Sequence, residues 1–286
     1  MNRWITGARP RTLPAAVVPV AVGAAAAVGE PTDIVWWRVI AALVVSLSLQ
    51  VGVNYANDYS DGVRGTDDVR VGPTRLVASG LASPSGVKRA ALLSFVVAAV
   101  AGLAVALSTS PWLLLVGAAA IAAGWFYTGG PRPYGYLGLG EVFVFVFFGL
   151  VATAGTTFAA IESVTALSLV MGSAVGSLAC ALLVINNLRD IPTDREVGKK
   201  TLAVRLGDPL TRWFYVALIG AAFVLSVVGA AWRVPVVLGL LAIPLAIGPI
   251  RSVLSGASGT ALIPVLGATG KLQLAWGLLV TIGLAV

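Results

Sequence analysis

Nine apolar stretches dominate the chain, at roughly 12–29, 35–56, 88–108, 111–128, 138–160, 164–186, 211–231, 234–250 and 270–286. Most approach the ~20 residues that a helix needs to cross a bilayer. Only 11% of the 286 residues are charged and 58% are hydrophobic, too little charge to cover a water-soluble surface of this size. The pattern predicts an all-α, polytopic membrane protein of about nine transmembrane helices in one domain, 1–286. The eighth stretch contains Pro235, Pro244 and Pro249, which neighbouring helices can accommodate. Arg3, Arg9 and Arg11 precede the first stretch, which leads into further spans with no convincing cleavage site, so no signal peptide is expected.

The chain has one cysteine, Cys180, and no histidine. A thiolate cluster, histidine-ligated zinc and a histidine general base are therefore excluded. The chemistry must run on carboxylates, Arg, Lys, Asn, Tyr and metal. The net charge of +7 reads as cationic loops beside a bilayer, with no nucleic acid implied. With the N-terminus inside, seventeen of the nineteen basic residues, Lys271 among them, fall on the cytoplasmic side. Only Arg38 and Arg233 fall outside. This bias predicts a multi-pass protein of the cytoplasmic membrane whose working face is cytoplasmic.

Two polar clusters interrupt the apolar pattern, Asn54 to Asp61 (NYANDYSD) and Asn186 to Asp194 (NNLRDIPTD). Asp58 and Asp61 are spaced i, i+3, and Asp190 and Asp194 i, i+4, so each pair shares one helix face. Asn54 and Asn187 extend those faces. The clusters end the second and sixth helices, an even number of crossings apart, so both emerge on one side of the membrane. That placement suggests a four-helix pseudo-repeat, 12–128 and 138–250, with 270–286 added. Acids at a bilayer edge are costly and usually functional. Magnesium prefers a few carboxylates together with water and phosphate oxygens. The two pairs are therefore expected to face each other across a central cavity open to the cytoplasmic side, holding Mg2+ against a diphosphate.

The segments after the clusters carry Arg64, Arg70 and Arg75, then Arg195, Lys199, Lys200 and Arg205, among glycines that let a phosphate approach the backbone. A third polar segment, Tyr127 to Glu141, holds Arg132 and three tyrosines. Glu141 lies one turn into an apolar helix and is expected to face the interior, near a cation or substrate.

Four ordered motifs carry a resemblance that covers essentially the whole chain: Ala8-Arg9-Pro10-Arg11-Thr12-Leu13-Pro14, Ala56-Asn57-Asp58-Tyr59-Ser60-Asp61-Gly62, Tyr127-Thr128-Gly129-Gly130-Pro131, and Asn186 through Gly207. The chain resembles the UbiA superfamily of intramembrane aromatic prenyltransferases, and within it the 1,4-dihydroxy-2-naphthoate prenyltransferases of menaquinone biosynthesis. The resemblance implies that Asn57, Asp58, Asp61, Asp190 and Asp194 bind diphosphate through magnesium. It makes Asn54 and Asn187 helpers and Arg64, Lys199 and Arg132 diphosphate contacts. Many relatives carry a third acid about four residues after the second, where this chain has Gly65; Asp67 or Asp68 is the expected substitute.

The implied reaction joins a polyprenyl diphosphate to 1,4-dihydroxy-2-naphthoate with loss of CO2. Metal and arginines would draw off the diphosphate, and Tyr127 would face the allylic cation. Arg9 or Arg11 would meet the acceptor's carboxylate. Another acceptor, such as 4-hydroxybenzoate or homogentisate, is the nearest rival. A lipid phosphotransferase would hold its acids in one continuous stretch, and a cation-coupled transporter would need polar groups at midplane or on the outer side.

Overall fold

The computed structural model describes residues 2–66 and 74–286, and every regular element among them is helical. Asp67 and Asp68 lie outside the described residues. A short helix, α1 (Arg3–Ala8), precedes α2 (Pro14–Ala26), α3 (Trp36–Arg64), α4 (Pro84–Ser108) and α5 (Trp112–Phe126). Then follow α6 (Gly140–Ile161), α7 (Ala166–Glu196), α8 (Leu202–Gly229), α9 (Val234–Leu254) and α10 (Gly259–Ala285). Seven of these, α3, α4 and α6 to α10, are long and apolar enough to cross a bilayer. The first and fourth expected spans are shorter apolar helices, the 13-residue α2 and the 15-residue α5.

Helix ends differ from the expected ones in an informative way. α3 continues past 56 to Arg64, and α7 continues past 186 to Glu196. Both polar clusters are thus helical. An apolar criterion stops at the first polar residue, whereas the backbone ladder continues wherever those side chains face a cavity. α3 ends at Gly65, whose φ of 72° places it in the left-handed region that glycine adopts without strain. The position where an acid is missing is the helix cap. α8 begins at Leu202 instead of 211, with Thr201 as its N-cap, and is broken at Gly207. α10 is helical from Leu262, well before 270, so Lys271 lies within the helix and not at its start.

α7 is the central helix. Leu167, Met171, Ala174, Val175, Leu178, Ala181 and Val184 bury it among α2, α8 and α10. α6 meets α7 backbone to backbone: a Cβ on Gly149 would sit 2.6 Å from Gly176 Cα. Small residues permit this approach, a common device where lipid supplies no hydrophobic drive between helices. α6 widens into a π-turn over Phe145–Val151 at the same place. Two buried polar bonds fix α10 against α8, Tyr215 with Thr269 at 2.7 Å and Trp276 Nε1 to Ser226 Oγ at 3.0 Å. Leu93, Val100, Leu107 and Leu115 point outward, as side chains facing lipid must.

Candidate active site

One cavity of about 1700 Å³ runs between α3, α5, α6, α7 and α10. Its polar end gathers Asn57 and Asp61 from α3, and Asn186, Asn187, Asp190 and Asp194 from α7. Tyr127, Thr128 and Tyr136 join them from the α5–α6 connection, with Arg9, Arg11, Arg75, Arg189 and Lys199 supplying positive charge. The rest is apolar, walled by Val45, Leu103, Leu113, Phe147, Phe148 and Val151. An ionic head and a long oily tail can therefore share one space.

The inward face of α3 is Asn54, Asn57 and Asp61, not Asp58 and Asp61. Successive helical residues point about 100° apart, so turning Asn57 inward turns Asp58 away. Asp58 is fully buried and accepts from the backbone N–H of Leu76 at 2.8 Å and Val77 at 3.0 Å. It anchors the segment that returns toward α4 and is off the cavity wall that Asn57 and Asp61 line. Asn57 accepts from Thr128 Oγ1 at 2.8 Å. Asp61 accepts from the Tyr136 hydroxyl at 2.6 Å and has Lys199 Nζ at 3.6 Å. Lys199 also lies over the Tyr136 ring, 4.6 Å from its centroid.

Across the cavity, Arg189 grips Asp190 through both carboxylate oxygens, at 2.7 and 2.8 Å. It reaches Asn186 Oδ1 as well, at 2.8 Å. Asp194 is buried on the same wall, and its carbonyl accepts from the Lys199 N–H at 2.8 Å. Burial first, then the nearby Asp61 charge, pushes the Tyr136 phenol well above its ordinary value near 10. The phenol stays protonated at neutral pH and stays a donor to Asp61.

Several expected contacts stand elsewhere. Arg64 donates to the carbonyls of Thr128 and Gly130, so it clamps the α5–α6 connection instead of facing the cavity. Arg132 is exposed and off the cavity wall. Glu141 is buried behind Asn187, accepting its Nδ2 at 2.9 Å, and positions that amide without lining the cavity. Asn54 lines the wall but spends its amide on the N-terminal segment, donating to Ala8 O and Thr12 Oγ1, each at 2.9 Å. That tie holds a sharp turn at Arg9, whose φ of 52° costs about 1–3 kcal/mol for a residue with a Cβ. The turn brings Arg9 and Arg11 to the cavity. Sequence reading passed over Arg189, Tyr136 and Lys271 as site residues; for Arg189, adjacency to Asp190 was the available signal.

Among the described residues, no three acidic or thiol side chains cluster closely enough to enclose a metal ion. The acids instead stand on two walls of one cavity. This donor set suits magnesium, which takes one or two carboxylates and completes its shell from phosphate and water oxygens.

Residues 16–262 match the UbiA prenyltransferase family. A 1,4-dihydroxy-2-naphthoate octaprenyltransferase of Mycobacterium tuberculosis is 52% identical over 283 residues, 99% of this chain and 97% of that protein. One from Escherichia coli is 37% identical over 235 residues, 77% of this chain and 74% of its own length. In fold, the chain is similar to the apo structure of a UbiA homolog from Aeropyrum pernix, with a TM-score of 0.72 at 17% identity, covering 94% of this chain and 96% of that one. It is also similar to a UbiA homolog from Archaeoglobus fulgidus bound to DMAPP and Mg2+, with a TM-score of 0.62 at 16% identity, covering 98% and 100%. The chain belongs to the UbiA prenyltransferase family.

Proposed function

We propose that this protein transfers a polyprenyl group from an allylic polyprenyl diphosphate to 1,4-dihydroxy-2-naphthoate, releasing diphosphate and CO2 and giving demethylmenaquinol, the reduced form of demethylmenaquinone. The observation that carries the reading is the cavity itself. Carboxylates and cations meet at one end of a space whose other walls are apolar, and the relatives at 37–52% identity are naphthoate prenyltransferases.

Asn57, Asp61, Asp190 and Asp194 would hold Mg2+, which when bound supplies positive charge against the diphosphate. Lys199 and Arg189 meet the diphosphate oxygens and stabilise the charge that builds there as the allylic C–O bond opens. The apolar walls keep water from the resulting cation, and Tyr127 presents a π-face to it. The electron-rich naphthoate ring attacks, and the carboxylate leaves as CO2, so no strong base is needed to take a ring proton. The absence of histidine accords with this.

The N-terminus and the polar end of the cavity face the cytoplasm in this reading, supported by the distribution of the basic residues. The membrane is the cytoplasmic one, and α2 and α5 complete nine crossings. The matched roles of α3 and α7, each lining the cavity with the acids of its C-terminal end, support the pseudo-repeat of 12–128 and 138–250. Purified protein given magnesium, a polyprenyl diphosphate and 1,4-dihydroxy-2-naphthoate should yield the prenylated, decarboxylated product by mass spectrometry. Turnover of 4-hydroxybenzoate in its place would reassign the acceptor, and flux of a cation into liposomes without product would reassign the class.

A further inference from the structure

Lys271 is a charged residue in the middle of a membrane helix, about 13 Å of helical rise beyond Leu262. It belongs to the stripe of α10 that lines the cavity with Pro264, Gly267, Gly270 and Leu274, and the other members carry no charge. The bonds of Thr269 to Tyr215 and of Trp276 to Ser226 lie on either side of it in sequence and set the rotation of the helix. Lys271 makes no hydrogen bond or ion pair with any other described residue. An ammonium on such a wall is costly without an anionic partner, and an aromatic carboxylate entering the cavity is a partner of the right charge.

The diphosphate already has Lys199 and Arg189 beside the acids of α3 and α7. α10 packs instead against the Pro10–Thr12 turn, which brings Arg11 to the same cavity. Next to Lys271 the wall is flat. A Cβ on Gly267 would meet nothing within 4 Å, and one on Gly270 only Leu182, at 4.0 Å. Two bare glycines beside a cation make a floor for a planar ring that carries one negative charge. We propose that Lys271, with Arg11, binds the carboxylate of the aromatic acceptor, whose ring lies across Gly267 and Gly270. This rests on the prenyl-transfer reading and names the acceptor's subsite within it. Lys271 thereby distinguishes an aromatic acid from the same ring without its carboxylate.

The test uses the full chain in detergent, with magnesium and the polyprenyl diphosphate saturating. Lys271→Met should raise the KM for 1,4-dihydroxy-2-naphthoate about ten- to a hundred-fold, the effect of losing a bond to a charged group. Lys271→Arg should restore most of it. The KM for the polyprenyl diphosphate, and the binding of a non-reactive thiolodiphosphate analogue measured by calorimetry, should not change. As a competitor against 1,4-dihydroxy-2-naphthoate, 1,4-dihydroxynaphthalene, which has no carboxylate to lose, should inhibit wild type and Lys271→Met with the same inhibition constant. Gly267→Leu fills open space, so the helix should tolerate it, and it should raise the acceptor KM by covering the floor. It carries the test alone if Lys271→Met does not survive purification. An unchanged acceptor KM in the variants, or a rise confined to the diphosphate, overturns the assignment. Failure of the underlying activity looks different, because wild type itself would then form no prenylated naphthoate.

Discussion

Arg189 forks both carboxylate oxygens of its sequence neighbour Asp190, Nε to Oδ1 at 2.7 Å and Nη2 to Oδ2 at 2.8 Å. Adjacent residues on a helix diverge by about 100°, so the arginine must curl back to make this contact. A diphosphate offers the same guanidinium the same forked geometry. Arg189→Met should therefore raise the KM for the polyprenyl diphosphate about ten- to a hundred-fold. Arg189→Lys should recover only part, since an ammonium cannot form the fork. Steady-state kinetics with the acceptor saturating checks this; an unaltered diphosphate KM refutes it.

Asp58 and Asp61 should part company under the same substitution. Asp58→Asn leaves one of the Leu76 and Val77 amides facing an NH2 group, so it should cost about 1–3 kcal/mol of stability, with activity falling in step with the folded fraction. Asp61→Asn should leave the melting temperature nearly unchanged yet lower the rate at least about a hundred-fold, the scale of losing a group that stabilises developing charge. Thermal denaturation in detergent beside activity per folded molecule separates the two. Equal loss of stability in both would contradict the division of roles.

Tyr136 links Asp61 to the α5–α6 connection, and its folded phenol titrates above its unfolded value near 10. The stability it contributes is thus fully present below pH 10 and is lost as pH rises through the folded value. Melting temperature should be insensitive to this residue from pH 7 to 9 and should fall above pH 10, and Tyr136→Phe should blunt that alkaline fall. The same variant should lower the rate about ten-fold at neutral pH by loosening Asp61. A pH series of melting curves on both proteins is the measurement.

Gly149 tests the packing that shapes the cavity wall. With Gly176 Cα 2.6 Å from where its Cβ would stand, Gly149→Val must push α6 from α7, costing about 1–3 kcal/mol or more. Gly155, where a Cβ would meet nothing within 4 Å, should accept alanine without loss. Comparing the two in detergent stability assays tells whether backbone contact, and not glycine content, holds these helices together.

Apolar runs long enough to cross a bilayer, and two acid clusters an even number of helices apart, sufficed to place both clusters at one end of a helical bundle. Those features depend on hydrophobic length and chain direction, which a linear sequence displays. Which member of each cluster faces inward was not legible. Asn57 and Asp58 are both polar neighbours, and only the rotation of α3, set by its packing and by the Leu76 and Val77 amides, chooses between them. Arg64 and Arg132 illustrate the same limit: a basic residue in a loop can reach substrate, backbone or water, and folded geometry alone selects among these. Lys271 is the converse: the apolar run of the sequence places it at a helix start, whereas the folded α10 extends through it and sets it on the cavity wall.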